Sequence, residues 1–506
     1  MKPSFIILLL FTGSLCHAQP SIQWQRTYGG TLSDGARSLQ QTTDSGFIVV
    51  GTSVSDDGDV ADPMGFNDCW LLKLNSMGNL QWQRSLGGTN HDNAYSVKET
   101  SEGGFVVAGF SFSNDGDVSG NHGGADAWVV KLDSGGAILW QRCYGGSGTE
   151  EAWDIEETSD GGFVFVGRSS SSDGDLSVNN GSFDFWVVRL NQQGDLIWQK
   201  SLGGSNLDIG YSLTQTKDGG YIVAGESQSD DGDVTQNQGN SDFWVIKLAA
   251  DGKIVWEYSF GGSALDRAND IQPARDSGYV VFGQSASNDG DVQNARGNYD
   301  QWLIKISEQG LLEWEKSFGG TSDDFGQSVC VTQDVGYALL GFTSSTDWDV
   351  INNDGGKDFW VLKTSDSGDL EWQATLGGSD QERGICIQQT TDQGFILAGE
   401  AWSNNGDVSG VQGKNDYWIV KLSAPSSSTS TPEPVRLMLA PNPAREYIQL
   451  LWPPVESGAR VHITDALGRG HIDTRLDATG VLDVSGLPRG VYWVEAPGAV
   501  GRMVKE

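Results

Sequence analysis

Four sets of carboxylates recur along this sequence at a constant spacing of 58 residues. The first is Asp34, Asp92, Glu150, Asp208, Asp266, Asp324 and Glu382, and the second is Asp57, Asp115, Asp173, Asp231, Asp289 and Asp347, with Asn405 in the seventh place. The third lies two residues on, at Asp59, Asp117, Asp175, Asp233, Asp291, Asp349 and Asp407, and the fourth is Asp68, Asp126, Asp184, Asp242, Asp300, Asp358 and Asp416. An Asp-Gly-Asp loop sets two carboxylates about a flexible glycine, and calcium takes about six to eight oxygens from loops of that kind. Calcium at Asp57 and Asp59, Asp115 and Asp117, Asp173 and Asp175, Asp231 and Asp233, and Asp289 and Asp291 is one expectation, as an optional ion and not a required cofactor. Turn chemistry is the other, with the side-chain oxygens accepting nearby backbone N–H groups.

In a regular repeat, specific chemistry is expected where the copies differ. Tyr95, Trp153 and Tyr211 share one position at which the other copies carry Arg37, Asn269, Gln327 and Ile385. Three aromatics side by side would stack on sugar rings, or else pack on one another. Trp348, which replaces a loop glycine, and Trp402 form a second candidate ligand patch. His91 and His122 fall in two loops of one copy, beside Asp92, and would suit a transition metal if the fold joined them. No nucleophile elbow, zinc-protease helix, phosphate loop or paired-cysteine metal motif occurs. Carboxylate pairs suited to glycosidic cleavage are so numerous that they single out no site.

The elements that position these residues follow from the same period. Trp24, Trp82, Trp140, Trp198, Trp256, Trp314 and Trp372 form one 58-residue column, and Trp70, Trp128, Trp186, Trp244, Trp302, Trp360 and Trp418 a second. Within one copy, Tyr95 to Thr100, Phe105 to Gly109, Asp126 to Leu132 and Ile138 to Trp140 read as strands separated by turn residues, and nothing has helical periodicity. Four short strands in each of seven copies predict an all-β, seven-bladed propeller. Both tryptophan columns are expected to pack between blades. The chain begins on a fourth strand and its last copy lacks one. Residues 22 to 28 are therefore expected to pair with residues 416 to 422 and close the ring, which removes an exposed edge. First strands then line the central channel, and the four carboxylate sets gather on one rim. Double glycines and Asp-x-Trp give the repeats a loose likeness to kelch and WD propellers, although the period fits neither.

A formal charge of −35 argues against nucleic acid and anionic membrane surfaces as partners. Lys2, the apolar run Phe5 to Phe11 and small residues before Gln19 read as a signal peptide, residues 1–18. No later apolar run is long enough to span a bilayer. Cys69, Cys143, Cys330 and Cys386 sit at different repeat positions, so they form no repeated bridge or ligand set; Cys330 and Cys386 lie in adjacent copies and are the pair that would bond if any did. The propeller is expected over residues 19–422 as a monomer, followed by a Ser/Thr/Pro linker at 423–435. Residues 436–506 read as a small β-sandwich-like domain of proline-bounded strands.

That last segment opens on Pro441-Asn442-Pro443-Ala444 and ends in Asp483-Val484-Ser485-Gly486-Leu487-Pro488-Arg489-Gly490-Val491-Tyr492, with Lys505 near the terminus. In these motifs it resembles the type A C-terminal sorting domain of the bacterial type IX secretion system. Trp493 after the tyrosine and Glu506 beyond the lysine depart mildly from that pattern. The resemblance implies passage across the inner membrane, recognition of residues 436–506 by the type IX machinery at the outer membrane, and release or attachment at the cell surface. Two functions follow as expectations: a secreted or surface-displayed propeller that binds a glycan or protein, or a polysaccharide-degrading hydrolase or lyase that uses the channel.

Overall fold

The computed structural model describes residues 19–353, 355–425 and, further on, 435–436, 438–440, 444–452, 460–465, 469–476, 481–496 and 499–505. The expected signal peptide, most of the linker and Pro441-Asn442-Pro443 lie outside the described residues. The chain divides into two compact units, one spanning Gln19–Ser426 and the other beginning at Ser427. Every regular element among the described residues is a strand, and no helix among them is long and apolar enough to cross a membrane.

The first unit is a seven-bladed β-propeller. Its first blade runs Asp34–Gln41, Phe47–Ser53, Asp68–Leu74 and Leu80–Leu86 as one antiparallel sheet, and the following blades repeat it. Second and third strands such as Phe47–Ser53 and Asp68–Leu74 are buried almost throughout, because each sheet is covered on both faces by its neighbours. The second tryptophan column lies at the centre of this packing, with Trp70 and its six equivalents at most 1% exposed. Each of these indoles donates to a Gln or Glu on the fourth strand of its blade, from Trp70 to Gln83 Oε1 at 2.7 Å through to Trp360 and Gln373 at 2.8 Å. The first column is half-buried apart from Trp372, and five of its members, Trp24, Trp82, Trp140, Trp198 and Trp372, meet the next blade edge-on, as Trp82 does Phe105 at 5.9 Å between centroids.

Closure follows the phase of the repeat. Ile22–Tyr28 pairs antiparallel with Asp416–Leu422 and completes the seventh sheet. Trp418 Nε1 then finds its partner across the ends of the ring, at Gln25 Oε1, 3.0 Å away. No sheet runs on as a ladder from one blade to the next. The ring is closed by face packing, in which Phe47, Val49 and Trp70 share a core with Ile396, Ala398, Tyr417 and Ile419.

Two local features explain recurring glycines. A Cβ on Gly29 would lie 2.5 Å from Asp416 Oδ1 and 2.7 Å from Asp34 Oδ2, and one on Gly30 would lie 2.5 Å from Asp57 Oδ1. The double glycine is needed because carboxylates of two blades close over it. On the opposite rim a recurrent basic residue, Lys73, Lys131, Arg189, Lys247, Lys305, Lys363 or Lys421, is buried and paired to a carboxylate of the first hairpin turn, Asp44 through Asp392.

The second unit is a small sandwich. Val435–Arg436, Ala499–Lys505, Gly490–Ala496, Arg460–Asp465 and Gly470–Arg475 form one sheet, and Met438–Ala440, Tyr447–Trp452 and Val481–Asp483 the other. Ile448, Leu450, Val461, Ile463, Tyr492, Val494 and Met503 fill the space between them. The four described cysteines are free thiols, so Cys330 and Cys386 do not bond.

Candidate functional site

The channel is shaped by a bulge that every first strand carries. In the second blade Ala94 faces Gly109 and Ser96 faces Ala108, which leaves Tyr95 as an extra residue. The same shift frees Arg37, Trp153, Tyr211, Asn269, Gln327 and Ile385. The bulged strand presses on its neighbour so closely that a Cβ on Gly109 would be 1.9 Å from Asn93 O and one on Gly167 1.7 Å from Glu151 O. Glycine opposite the bulge is therefore obligatory. A bulge re-aims its side chain, and all seven bulge residues line one channel cavity of about 790 Å³.

The sequence-predicted trio does come together. Tyr95 and Trp153 stack with centroids 4.0 Å apart and planes 5° from parallel, and Tyr211 meets Trp153 edge-on at 5.2 Å. Much of their ring surface is spent on one another, which leaves edges and polar atoms for a ligand. Trp153 Nε1 is buried and has no hydrogen-bond partner. Tyr211 Oη donates to Glu226 Oε1 at 2.8 Å, and burial holds both tyrosine hydroxyls protonated by raising their pKa values.

Of the charged residues around the trio, only Arg37 was legible from the repeat. Arg267 lies over the Tyr211 ring, 4.0 Å from its centroid, and also lines the cavity. Arg37 pairs with Glu400 at 3.0 Å and Arg168 with Glu151 at 2.6 Å, whereas Arg267 has no ion pair among the described residues. Lys98 Nζ stands 3.8 Å from Asp154 Oδ1. Burial works against its charge, but Asp154, Glu156 and Asp270 outweigh that and raise its pKa. The charged groups on the cavity wall are thus Arg37, Lys98 and Arg267 against Asp154 and Asp270, an excess of cations inside a strongly acidic chain. The two carboxylates also tie adjacent blades. Asp154 accepts from Ser96 Oγ at 2.8 Å and Leu213 N at 3.2 Å, and Asp270 from Ser328 Oγ at 3.0 Å and Val329 N at 2.8 Å.

On the rim, the carboxylates expected to hold calcium are bonded to the connection that precedes the first strand of their blade. Asp57 accepts from Thr31 N at 2.7 Å and Thr31 Oγ1 at 3.0 Å, and Asp115 from Thr89 N and Oγ1 at 2.8 and 2.9 Å. Asp173, Asp231 and Asp289 each accept from a backbone N–H at 2.7 Å. Asp59, Asp175, Asp233 and Asp291 accept at 3.1 to 3.3 Å from the first glycine of the pair, and Asp117 closes its loop through its own N–H on Gly87 O at 2.8 Å. Among the described residues no three His, Cys, Asp or Glu side chains converge to hold a metal ion. His122 Nδ1 is 2.6 Å from Asp126 while His91 stacks on Phe66, so the two histidines serve different loops. Trp348 and Trp402 lie on this rim, each under a guanidinium, Arg296 at 5.0 Å and Arg383 at 5.2 Å.

No family model matches the chain. The regulatory protein FlaEY of Caulobacter vibrioides is 28% identical over 207 residues, which is 38% of this chain and 22% of that protein. Sqt1 from Chaetomium thermophilum is similar in structure with a TM-score of 0.41 and 12% identity, covering 80% of this chain and all of Sqt1. The extracellular domain of the hybrid two-component system BT4673 from B. thetaiotaomicron gives 0.42 and 11%, over 96% of this chain and 60% of that one. The propeller assignment itself rests on the strand order of the seven sheets.

Proposed function

We propose that this chain is an exported binding protein whose propeller holds an acidic saccharide, a short sugar chain bearing a carboxylate or sulfate, in the channel beside Arg267. The observation that carries the reading is the state of that guanidinium. It lies over the Tyr211 ring, lines the cavity and has no carboxylate partner among the described residues, in a chain with a formal charge of −35. A planar guanidinium presents a fork that matches a carboxylate or sulfate, and stacking on a ring fixes it for that role. Trp153, which also lines the channel, has an Nε1 donor with no partner among the described residues. The acidic exterior repels long polyanions, so a short chain or a chain end suits the site better than an extended polymer. In this reading residues 436–506 are the export address for the type IX machinery, and the propeller works in the medium or at the cell surface.

Titration calorimetry with an oligouronate and with its neutral counterpart tests the site. The oligouronate should bind at least about tenfold more tightly than the neutral sugar, and Arg267→Met should remove most of that difference. Equal affinities for the two sugars, or an unchanged R267M, would refute it. Release of new reducing ends in the same samples would replace binding by cleavage.

A further inference from the structure

A second site, independent of the channel, is marked by Trp348. Six blades place a glycine at the centre of the corresponding loop, at Gly58, Gly116, Gly174, Gly232, Gly290 and Gly406, with φ between 62° and 67°. The sixth blade places Trp348 there, and the backbone stays left-handed at φ 56°. That region is unfavourable for a bulky side chain. Space is short as well, since a Cβ on Gly58 would come within 2.4 Å of Gly29 O and one on Gly116 within 2.5 Å of Gly87 O. The sixth loop shows the consequence. The bond that closes it, Asp349 N to Gly319 O, is 3.4 Å long, where its counterparts measure 2.8 to 3.0 Å.

No apolar packing among the described residues repays this. Trp348 is 69% exposed and belongs to none of the buried clusters. Among the described residues its ring contact is the Arg296 guanidinium over one face, held by an ion pair with Asp349. The indole is therefore fixed by a cation on one side and open on the other. The rim as a whole is negative. Asp57, Asp115, Asp173, Asp231 and Asp289 are all exposed, and the chain carries a large net negative charge. An exposed indole on a rim of net negative charge is a receptor for a second cation, because the ring face and the rim's field both attract it. Exposed Trp and Arg together are also the residue types that anchor protein interfaces.

We infer that the carboxylate-bearing rim docks a basic protein segment, with an Arg or Lys of the partner seated on the free face of Trp348. Protein carrying 5-fluorotryptophan tests this, the Trp348 resonance being the one lost in W348G. Hexa-arginine amide should shift that resonance, and W348G should bind the peptide at least about fivefold more weakly while melting at or above the wild-type temperature. Unchanged peptide affinity in W348G would show that rim charge alone acts. A melting temperature several degrees lower would make Trp348 a folding residue, and a shift given by maltohexaose instead of the peptide would make it a sugar platform. Any of these three overturns the inference, and none depends on Arg267.

Discussion

At the scale of single residues, carboxylates beside the buried tryptophans set how the protein responds to pH. Burial raises Asp242 to about 7 and Asp300 and Asp416 to about 6, with Asp266 and Asp291 adding to the effect at Asp242. A group that holds its proton more tightly folded than unfolded contributes its full stability below the unfolded pKa, near 3.8, and loses it as pH rises through the folded value. Asp44 and Asp218 act the other way. Both lie at about 2, Asp44 despite its burial because Lys73 and Thr42 bond it, Asp218 because Thr216 and Lys247 do. Their contribution is present above the unfolded value and is lost as pH falls toward 2. The contribution of these five groups is greatest near pH 4 and declines toward pH 7. Asp242→Asn should raise stability at pH 8 by roughly 2 kcal/mol and flatten that decline, as read by calorimetric melts across pH; an unchanged slope would place the pH dependence on other groups. The identity of Asp242 was plain in its column, but its burial was not, because aspartate two residues before a tryptophan reads equally well as an exposed turn. Arg267 was hidden for a related reason. Its counterparts are Gly35, Asn93, Glu151, Ile209, Phe325 and Arg383, so the column shares no residue type, and a position without a period carries no signal until the bulge beside it is known.

Strands and turns carry the next level of control. The four-strand blade was legible, because apolar runs such as Phe105 to Gly109 alternate with glycine-rich turns at a fixed period. The bulge was not, since one extra residue in an alternating strand looks like a break in pattern, although the glycine repeated at 51, 109, 167, 225, 283, 341 and 399 was its trace. Gly167→Ala should make that trace visible. Its methyl would meet Glu151 O, so either the bulge at Trp153 is lost or the blade opens, at roughly 3 kcal/mol or more. Near-wild-type melting with an intact near-ultraviolet tryptophan spectrum would count against the bulge as the device that aims the trio. The recurrent buried lysines give a second test. Lys421 is 4% exposed, and Asp392 is its only carboxylate partner among the described residues. Asp392→Asn leaves the ammonium with Leu422 O at 2.9 Å and should destabilise by about 1 to 3 kcal/mol in denaturant melts. Asp392→Glu should recover part of it, which a purely steric effect would not allow.

For the whole molecule, the question is what keeps seven similar blades in one closed ring. Calcium at the rim is one answer, and the loop bonds are another. The expected ligands Asp57, Asp115 and Asp289 already accept turn N–H groups. A chelator should accordingly leave the melting temperature within about a degree, and a fall of several degrees would restore the ion as a structural part. The stronger constraint is the strand exchange between the two ends of the propeller. It was legible because the phase of a strict repeat shows which strand is missing and where the spare one lies. Removing Ile22–Tyr28 would bare the backbone of Asp416–Leu422, take Gln25 from Trp418 Nε1 and uncover Tyr417 and Ile419 beside the first blade. A buried indole N–H left without an acceptor costs about 1 to 3 kcal/mol by itself, and the lost edge pairing adds to that. A chain beginning at Gly30 should therefore melt well below the full ring and associate through its bared edge as concentration rises. Supplying a peptide of residues 22–28 in excess should raise the melting temperature again, since a strand that binds only the folded ring stabilises it by mass action. If the shortened chain melts like the full ring and ignores the peptide, the blades close by face packing alone and the N-terminal strand is an accessory.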